Sequence, residues 1–202
     1  MELVTLQALY EHELKDLYSA EKQITKALPK MIRAATNGEL AAALRDHLEV
    51  TERQIGRLEQ IFAGLGKSPR GKKCKGMEGL LDEGADLLKE EGVDPEVLDA
   101  GIIASAQRVE HYEIAGYGTV RAYAELLGEG EAVALLDATA KEEGEADKTL
   151  TAIANRTVNL SALSPEAEES QPARRRRTAP RASKSRSRAP RKGSYKLAGS
   201  PR

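Results

Sequence analysis

The chain has 202 residues, of which 40% are hydrophobic and only 3% are aromatic, and its single cysteine, Cys74, excludes an internal disulfide. With no Trp and one Phe, the composition favours a helical protein packed with Leu and Ala. No apolar run reaches the roughly 18 residues that a membrane span needs, and the N-terminus lacks a signal-peptide pattern, so we expect a cytoplasmic protein without membrane association.

Two segments of opposite charge underlie the net charge of −1. Residues 164–202 contain 12 of the 31 Lys and Arg residues but 3 of the 32 Asp and Glu residues, so residues 1–163 carry a net −10 and the tail a net +9. Pro, Ser, Ala and Arg dominate the tail, and the apolar periodicity ends where it begins. We therefore expect a helical domain over residues 1–163 and a disordered basic tail over residues 164–202.

Apolar residues recur at spacings of three and four over most of the first 163 residues, which is the pattern of amphipathic helices. The predicted helices, four long and one short, cover residues 3–35, 39–64, 77–91, 95–127 and 131–159. Pro29 is expected to kink the first helix or break it near its end, and Thr36-Asn37-Gly38 predicts a tight turn after it. Asp94 and Pro95 predict the N-cap and the first residue of the third long helix.

The connections between these helices predict how they pack. Short turns near residues 36 and 129 make the two long helices of each pair antiparallel. The connection between the pairs is long, and it carries the short amphipathic helix over residues 77–91. The sequence therefore predicts an all-α four-helix bundle with one long crossover.

Acidic residues interrupt the apolar stripes of the long helices. At about 100° per residue, Glu110 lies at the centre of the stripe of the third long helix and Glu113 lies at its edge. Glu21 lies about 40° from the centre of the first stripe, and Glu143 and Asp147 lie within about 20° of the fourth.

The second long helix differs, because the polar residues on its stripe are His47 and Thr51. Glu52 lies at the edge of that stripe and Glu49 points well away from it, as Glu142 does on the fourth long helix. Folding each pair about its turn brings these polar positions to a similar depth, about 22–28 Å from the turns.

A group of acids at one depth in a bundle has two interpretations. Buried carboxylates cost several kcal/mol unless a cation or a donor pairs with them, and bundles hold di-iron and di-manganese centres at this depth. Alternatively, each acid lies at a solvated edge or accepts a hydrogen bond from Tyr or Thr. His47 is then a core histidine that pairs with Glu21 or Tyr112.

Several motifs, in order along the chain, resemble those of the YciE/YciF family. They are Glu21-Lys-Gln, Ala27-Leu-Pro-Lys, His47-Leu-Glu with Thr51, Gln107-x-Val-Glu-His-Tyr-Glu with Tyr117-Gly118, and Glu142-Glu143 with Asp147 and Leu150. The resemblance covers about residues 2–160. It implies a ferritin-like fold, a homodimer rather than a cage, and a bacterial stress-response protein with a ferroxidase label.

Carried onto this chain, the resemblance implies metal ligands from all four long helices. They are Glu21, Glu49 or Glu52, Glu110, Glu113, Glu142 or Glu143, and Asp147. Position on the stripe favours Glu143, whereas comparison with the Glu-Glu-Gly-His run of ferritin-like proteins favours Glu142, so both stay open. Carboxylates replace histidines of the usual Glu-x-x-His signature, which indicates a harder and more weakly held site.

Such a site would bind two ions, iron or manganese, and O₂ or peroxide would accept electrons from Fe(II). A ferroxidase-like activity is therefore one hypothesis for the protein. The other is a non-enzymatic dimeric or DNA-associating helical module whose buried acids are structural.

The basic tail suggests a partner of its own, since it can neutralise many phosphates without reading base sequence. The residues expected to contact nucleic acid are Arg174, Arg175, Arg176, Arg177, Arg181, Lys184, Arg186, Arg188, Arg191 and Lys192. Two other interpretations are that the tail folds back onto its own acidic domain or that it aids solubility.

Overall fold

The computed structural model describes residues 3–163, and the regular elements in this range are helices. In chain order they are α1 (Leu6–Ala34), α2 (Gly38–Gly64), α3 (Lys75–Leu87), α4 (Pro95–Leu127), α5 (Gly130–Ile153) and α6 (Asn159–Ala162), with a π-helical turn at Ala154–Val158. The predicted all-α, ferritin-like bundle with a short helix in its crossover is confirmed. The predicted tail, residues 164–202, lies outside the described residues.

The four long helices α1, α2, α4 and α5 form the bundle. α1 packs against α2 and α4, and α5 packs against α4 and α2, so each helix has two neighbours. The crossover helix α3 packs on the outside, against α4 and α1. Within residues 3–163 no helix combines the length and the apolar character needed to cross a membrane.

Side-chain caps fix where the helices begin. Thr5 Oγ1 accepts from the backbone N–H of Ala8 at the start of α1, and Asn37 Oδ1 accepts from two N–H groups at the start of α2. Asp94 caps α4 ahead of Pro95, as the sequence predicts. Gly128 ends α4 with a φ of 76°, a left-handed conformation that glycine adopts without strain.

The first helix runs to Ala34 without a break at Pro29, because a proline removes only one backbone donor and the burial of Leu28 and Met31 holds the last turns in place. Other boundaries differ from the sequence prediction, since α3 covers Lys75–Leu87 rather than residues 77–91. The last long helix ends at Ile153 and continues as the π-helical turn, where Thr157 Oγ1 donates to the Ile153 carbonyl. Such a side-chain bond to a carbonyl one turn earlier competes with regular helix geometry.

The core consists of two apolar clusters that contact all four long helices. One is built around Ile24, Leu28, Leu40, Leu44, Ile102, Val109 and Leu150. The other is built around Tyr10, Leu14, Leu17, Leu58, Phe62, Val120 and Leu136. Along every long helix, the positions between these clusters include buried polar residues, namely Glu21, Thr51, Gln54, Glu110, Glu113, Thr139 and Glu143. A polar layer therefore crosses the middle of the bundle.

Candidate metal centre

One imidazole and three carboxylates converge in this polar layer. His47 comes from α2, Glu110 and Glu113 come from adjacent turns of α4, and Glu143 comes from α5. Each offers one ligand atom, and these atoms all lie within 4.8 Å of one another. The side chains meet because each occupies the inward face of its helix at a similar distance from the bundle ends.

Glu21 adds a fourth carboxylate from α1. The Tyr117 hydroxyl donates a hydrogen bond to Glu21 Oε1, and both side chains are fully buried. On the opposite helix pair, the Gln54 amide Nε2 donates to Glu143 Oε1. These two donors fix the orientation of Glu21 and Glu143, and they leave the second oxygen of each carboxylate available.

Many polar atoms of the layer have no hydrogen-bond partner within residues 3–163. Both oxygens of Glu113 are of this kind, as is one oxygen of each of three other glutamates. The full set of these atoms is Glu21 Oε2, His47 Nε2, Gln54 Oε1, Glu110 Oε2, Glu113 Oε1, Glu113 Oε2 and Glu143 Oε2. Buried polar atoms are normally paired, so this density of unsatisfied ligand atoms requires an explanation.

The titration behaviour of the carboxyl groups follows from this burial. Desolvation raises the pKa of Glu143, and it raises the pKa values of Glu21, Glu110 and Glu113 well above their usual range. Repulsion by the Glu143 carboxylate raises the pKa of Glu21 further, and repulsion by the Glu21 carboxylate raises the pKa of Glu113. The cluster must therefore either hold protons or hold a cation.

His47 is neutral at physiological pH despite its acidic neighbours. Its Nε2 lies 3.3 Å from Glu110 Oε1, and its side chain is 10% exposed. Burial lowers the pKa of His47 to about 4, so the contact with Glu110 is not an ion pair at pH 7. A neutral imidazole is the form that binds metal ions.

The donor set fits a metal ion. Carboxylate oxygens and one imidazole nitrogen suit iron, manganese and zinc, and the unpaired oxygens of Glu113 and its neighbours provide free coordination positions. The buried His/Glu cluster can therefore hold a metal ion.

Comparison with known proteins agrees with this architecture. A family described as a domain of unknown function (DUF892) matches residues 5–163 of the chain. The chain belongs to this family. The resemblance to the YciE/YciF family is thereby confirmed.

Two relatives of the family illustrate the similarity. Protein YciF of Escherichia coli K12 is 44% identical over 163 residues, which cover 80% of this chain and 98% of YciF. The crystal structure of YciF, described as a stress protein, matches with a TM-score of 0.74 at 43% identity over 78% of this chain and 99% of that chain. The structure of YcfI from Rhodopseudomonas palustris matches with a TM-score of 0.71 at 47% identity, over 74% and 95% of the two chains.

The ligands predicted on α5 separate into different environments in this member of the DUF892 family. Glu143 is fully buried in the cluster, whereas Glu142 turns outward and forms a two-pronged ion pair with Arg57, with N–O distances of 2.6 and 2.7 Å. The hydrogen bond from Arg57 lowers the pKa of Glu142. Asp147 accepts from the Gln107 amide at 2.9 Å and lies outside the group of four convergent ligands.

The structure does not bring Glu49 or Glu52 to the cluster. Both are exposed, because about 140° of helix rotation separates Glu52 from His47 and Glu49 points away still further. α2 instead contributes His47 and Gln54, which lie on one face because seven residues span about two turns.

His47 and Gln54 are absent from the ligand set inferred from sequence. The signal for both is a polar side chain on an apolar stripe, since His47, Thr51 and Gln54 follow one another at spacings of four and three. The expected pairing of His47 with Glu21 or Tyr112 differs from the structure, where His47 faces Glu110. Tyr112 donates instead to Asp16 Oδ2 at 2.6 Å.

Proposed function

We propose that this polar layer is a carboxylate-rich metal centre that holds two divalent ions, iron or manganese. On this proposal the protein is a cytoplasmic, ferritin-like stress-response protein with ferroxidase-like activity. The observation that carries the proposal is the group of buried, unpartnered ligand atoms of His47, Glu110, Glu113 and Glu143.

Charge balance supports two ions rather than one. Glu21, Glu110, Glu113 and Glu143 together carry four negative charges when ionised, and two divalent ions neutralise them. The nearby guanidinium of Arg57 is paired with Glu142, so these two side chains together add no net charge to the cluster.

The chain's own residues would hold and orient the ligands. Glu113 offers both oxygens, whereas the hydrogen bonds from Tyr117 and Gln54 hold Glu21 and Glu143 with one oxygen free. Bound Fe(II) would supply the electrons that reduce O₂ or peroxide. The apolar clusters on both sides of the layer restrict water around the centre.

Elemental analysis of protein purified without chelator tests the proposal, followed by anaerobic Fe(II) titration and measurement of Fe(II) oxidation after O₂ is added. We expect about two ions per chain and faster Fe(II) oxidation than in buffer. Glu113→Gln should lose metal, whereas the matched control Glu52→Gln, an exposed glutamate of α2, should retain it. Absence of metal in the wild-type chain after titration would refute the centre.

The same measurements test the second candidate, a non-enzymatic dimeric or DNA-associating helical module with structural acids. The raised pKa values of the buried glutamates support it, because protonated carboxyls need no counter-ion. Metal-free protein that neither binds nor oxidises Fe(II) would favour this candidate. The homodimer is a proposal for either function, and sedimentation equilibrium of the full-length chain tests it.

We also propose that the basic tail contacts nucleic acid without sequence preference. Its net charge of +9 over residues 164–202 supports this proposal, and the affinity should fall steeply with salt. Gel shifts at low and high salt, with the full chain and with residues 1–163, test it. If residues 1–163 bind nucleic acid as tightly as the full chain does, the tail is not the nucleic-acid contact.

A further inference from the structure

A cavity of about 380 Å³ lies between α2 and α5 and reaches the metal centre. Its walls are mainly apolar side chains, and its inner end is formed by His47 and Glu110. The apolar walls include Ala43, Leu44, Val50, Ala146 and Leu150. The cavity therefore connects an apolar compartment to two ligands of the proposed centre.

The cavity runs from an exposed rim to a buried inner end. Asp46, Lys141 and Glu145 at the rim are exposed, whereas Leu44 and Glu110 are 2% exposed each. At the inner end, His47 Nε2 and Glu110 Oε2 have no hydrogen-bond partner within the described part of the chain. Apolar walls with a few convergent polar atoms are the usual features of a small-molecule site.

The charges at the rim are largely neutralised by neighbours. Lys141 pairs with Asp137 at 2.6 Å, and Glu145 pairs with Lys148 at 2.7 Å. Glu142 is held by Arg57. A charged ligand would therefore find little unpaired charge at the rim, and a hydrated cation would lose its water against apolar walls.

We propose that this cavity binds a small neutral organic molecule with an apolar body and one polar group. The apolar body lies against Ala43, Val50, Ala146 and the two leucines, and the polar group faces His47 and Glu110. An apolar cavity of about 150 Å³ is enough to hold benzene, so 380 Å³ accommodates two fused rings. Binding follows from the cavity alone, whereas any role of the molecule beside bound metal rests on the proposed function.

The probe for this proposal is 2-naphthol, which has two fused rings and one hydroxyl. It would be titrated into the full-length, chelator-treated chain by calorimetry, and the alanine methyl resonances of labelled protein would be followed in parallel. Because the titration needs no metal, its failure is distinct from failure of the metal centre, which elemental analysis decides.

Ala146→Phe should fill the cavity and weaken 2-naphthol binding by about tenfold or more. The matched control is Ala85→Phe, since Ala85 lines a separate cavity of about 240 Å³ beside α3 that does not contact the cluster. We expect this control to leave the affinity within about twofold. Saturable one-to-one binding with shifts at the Ala43 and Ala146 methyl groups is the result expected of the wild-type chain.

Three results would overturn the proposal. They are no saturable binding by the wild-type chain, equal binding by the Ala146→Phe variant, and methyl shifts at Ala85 in place of Ala43 and Ala146. The wild-type methyl shifts decide the question even if Ala146→Phe does not fold.

Discussion

Two of the regions in which residues 3–163 bury acids differ in whether they provide hydrogen-bond partners for them. Asp99 of α4, 2% exposed, lies against the turn between α1 and α2. It accepts hydrogen bonds from the Thr36 N–H at 2.9 Å, the Thr36 hydroxyl at 2.6 Å and the Asn37 N–H at 2.7 Å. In the central layer, Glu113 is equally buried, yet neither of its oxygens has a partner among residues 3–163.

This difference distinguishes a structural acid from a candidate metal ligand. The Asp99 carboxylate exchanges its hydration for three donors, two of them backbone groups, so it joins α4 to the α1–α2 turn without any ion. Glu113 loses its hydration and gains no donor in return. Burial alone therefore does not identify a metal site, whereas burial of several unpartnered carboxylates in one place does support one.

The largest expected effect is at the satisfied acid. Asp99→Ala should lower the free energy of unfolding of the metal-free protein by about 3 kcal/mol, because it leaves the Thr36 and Asn37 donors unpaired. Urea unfolding measures this. Glu52→Ala is the control, since Glu52 is exposed and should change stability by less than about 0.5 kcal/mol. If Asp99→Ala lowers the free energy of unfolding no more than Glu52→Ala does, Asp99 is not a structural acid and its contrast with Glu113 does not hold.

Metal binding should stabilise the protein through the unsatisfied acids. Mn(II) at about one hundred times its dissociation constant should raise the free energy of unfolding by about 2.7 kcal/mol, because the ion binds the folded chain alone. Thermal unfolding with increasing Mn(II) measures this gain. Glu113→Gln should abolish it, whereas Asp99→Asn should retain it on a less stable protein. An equal gain in the Glu113→Gln variant would place the bound ion elsewhere.

The bundle could be predicted from sequence because its signals are local. Apolar periodicity, the Asn37 and Asp94 caps and the glycine after Leu127 specify where helices begin and end. Helical rotation alone also directs Glu21, Glu110, Glu113 and Glu143 inward, where the structure has them.

The choices within the site depend on contacts that no single helix reveals. Helical rotation already directs Glu142 away from the stripe, but its partner there, Arg57, belongs to another helix and cannot be read from α5. His47 resembles a core histidine until its neighbour Glu110 is known. Asp99 gives no sequence signal at all, because its donors belong to a turn more than sixty residues away.

The central layer should also make the stability of the metal-free protein depend on pH. In the metal-free protein the folded-state pKa values of Glu21, Glu110 and Glu113 are raised, so the folded chain holds protons that the unfolded chain releases. Their contribution to stability is complete below the unfolded pKa of 4.5 and is lost as pH rises through the folded-state values. His47 acts in the opposite direction, because its contribution is lost as pH falls from 6.5 through about 4.

With several glutamates against one histidine, stability of the metal-free protein should rise from pH 8 to pH 5, with a slope of about 1.4 kcal/mol per pH unit for each net proton. Urea unfolding at a series of pH values measures this slope. Glu113→Gln should flatten this slope, because it removes one of the carboxyl groups whose pKa is raised. A stability that falls steadily over this range would contradict the raised pKa values.

Removing one unsatisfied charge should make the metal-free protein more stable. Glu113→Gln should increase the free energy of unfolding at pH 7 by about 1 kcal/mol, because an amide avoids both the repulsion and the proton uptake that Glu113 requires. The exposed Glu52→Gln is the matched control, with an expected change below about 0.5 kcal/mol. A large loss of stability at Glu113, comparable with that at Asp99, would mean that its carboxylate is structural.

The smallest effect is expected at Arg57, the positive side chain beside the cluster. If Arg57 satisfied the buried glutamates as the turn satisfies Asp99, its removal would destabilise the protein strongly. The Arg57 side chain donates instead to Glu142 and to the Thr139 hydroxyl, and Arg57 and Glu142 remain partly exposed. Arg57→Gln should therefore cost only about 0.5 kcal/mol in the metal-free protein.

The same substitution should strengthen Mn(II) binding by about threefold, because the positive charge of Arg57 reaches Glu21 and Glu143 and repels a cation bound between them. Calorimetric titration with Mn(II) measures this change, with Lys141→Gln as a control whose charge is exposed and paired to Asp137. Weaker Mn(II) binding by Arg57→Gln would show that Arg57 positions Glu142 as a ligand. Glu142 would then belong with the acids that bind metal rather than with those that a protein donor satisfies.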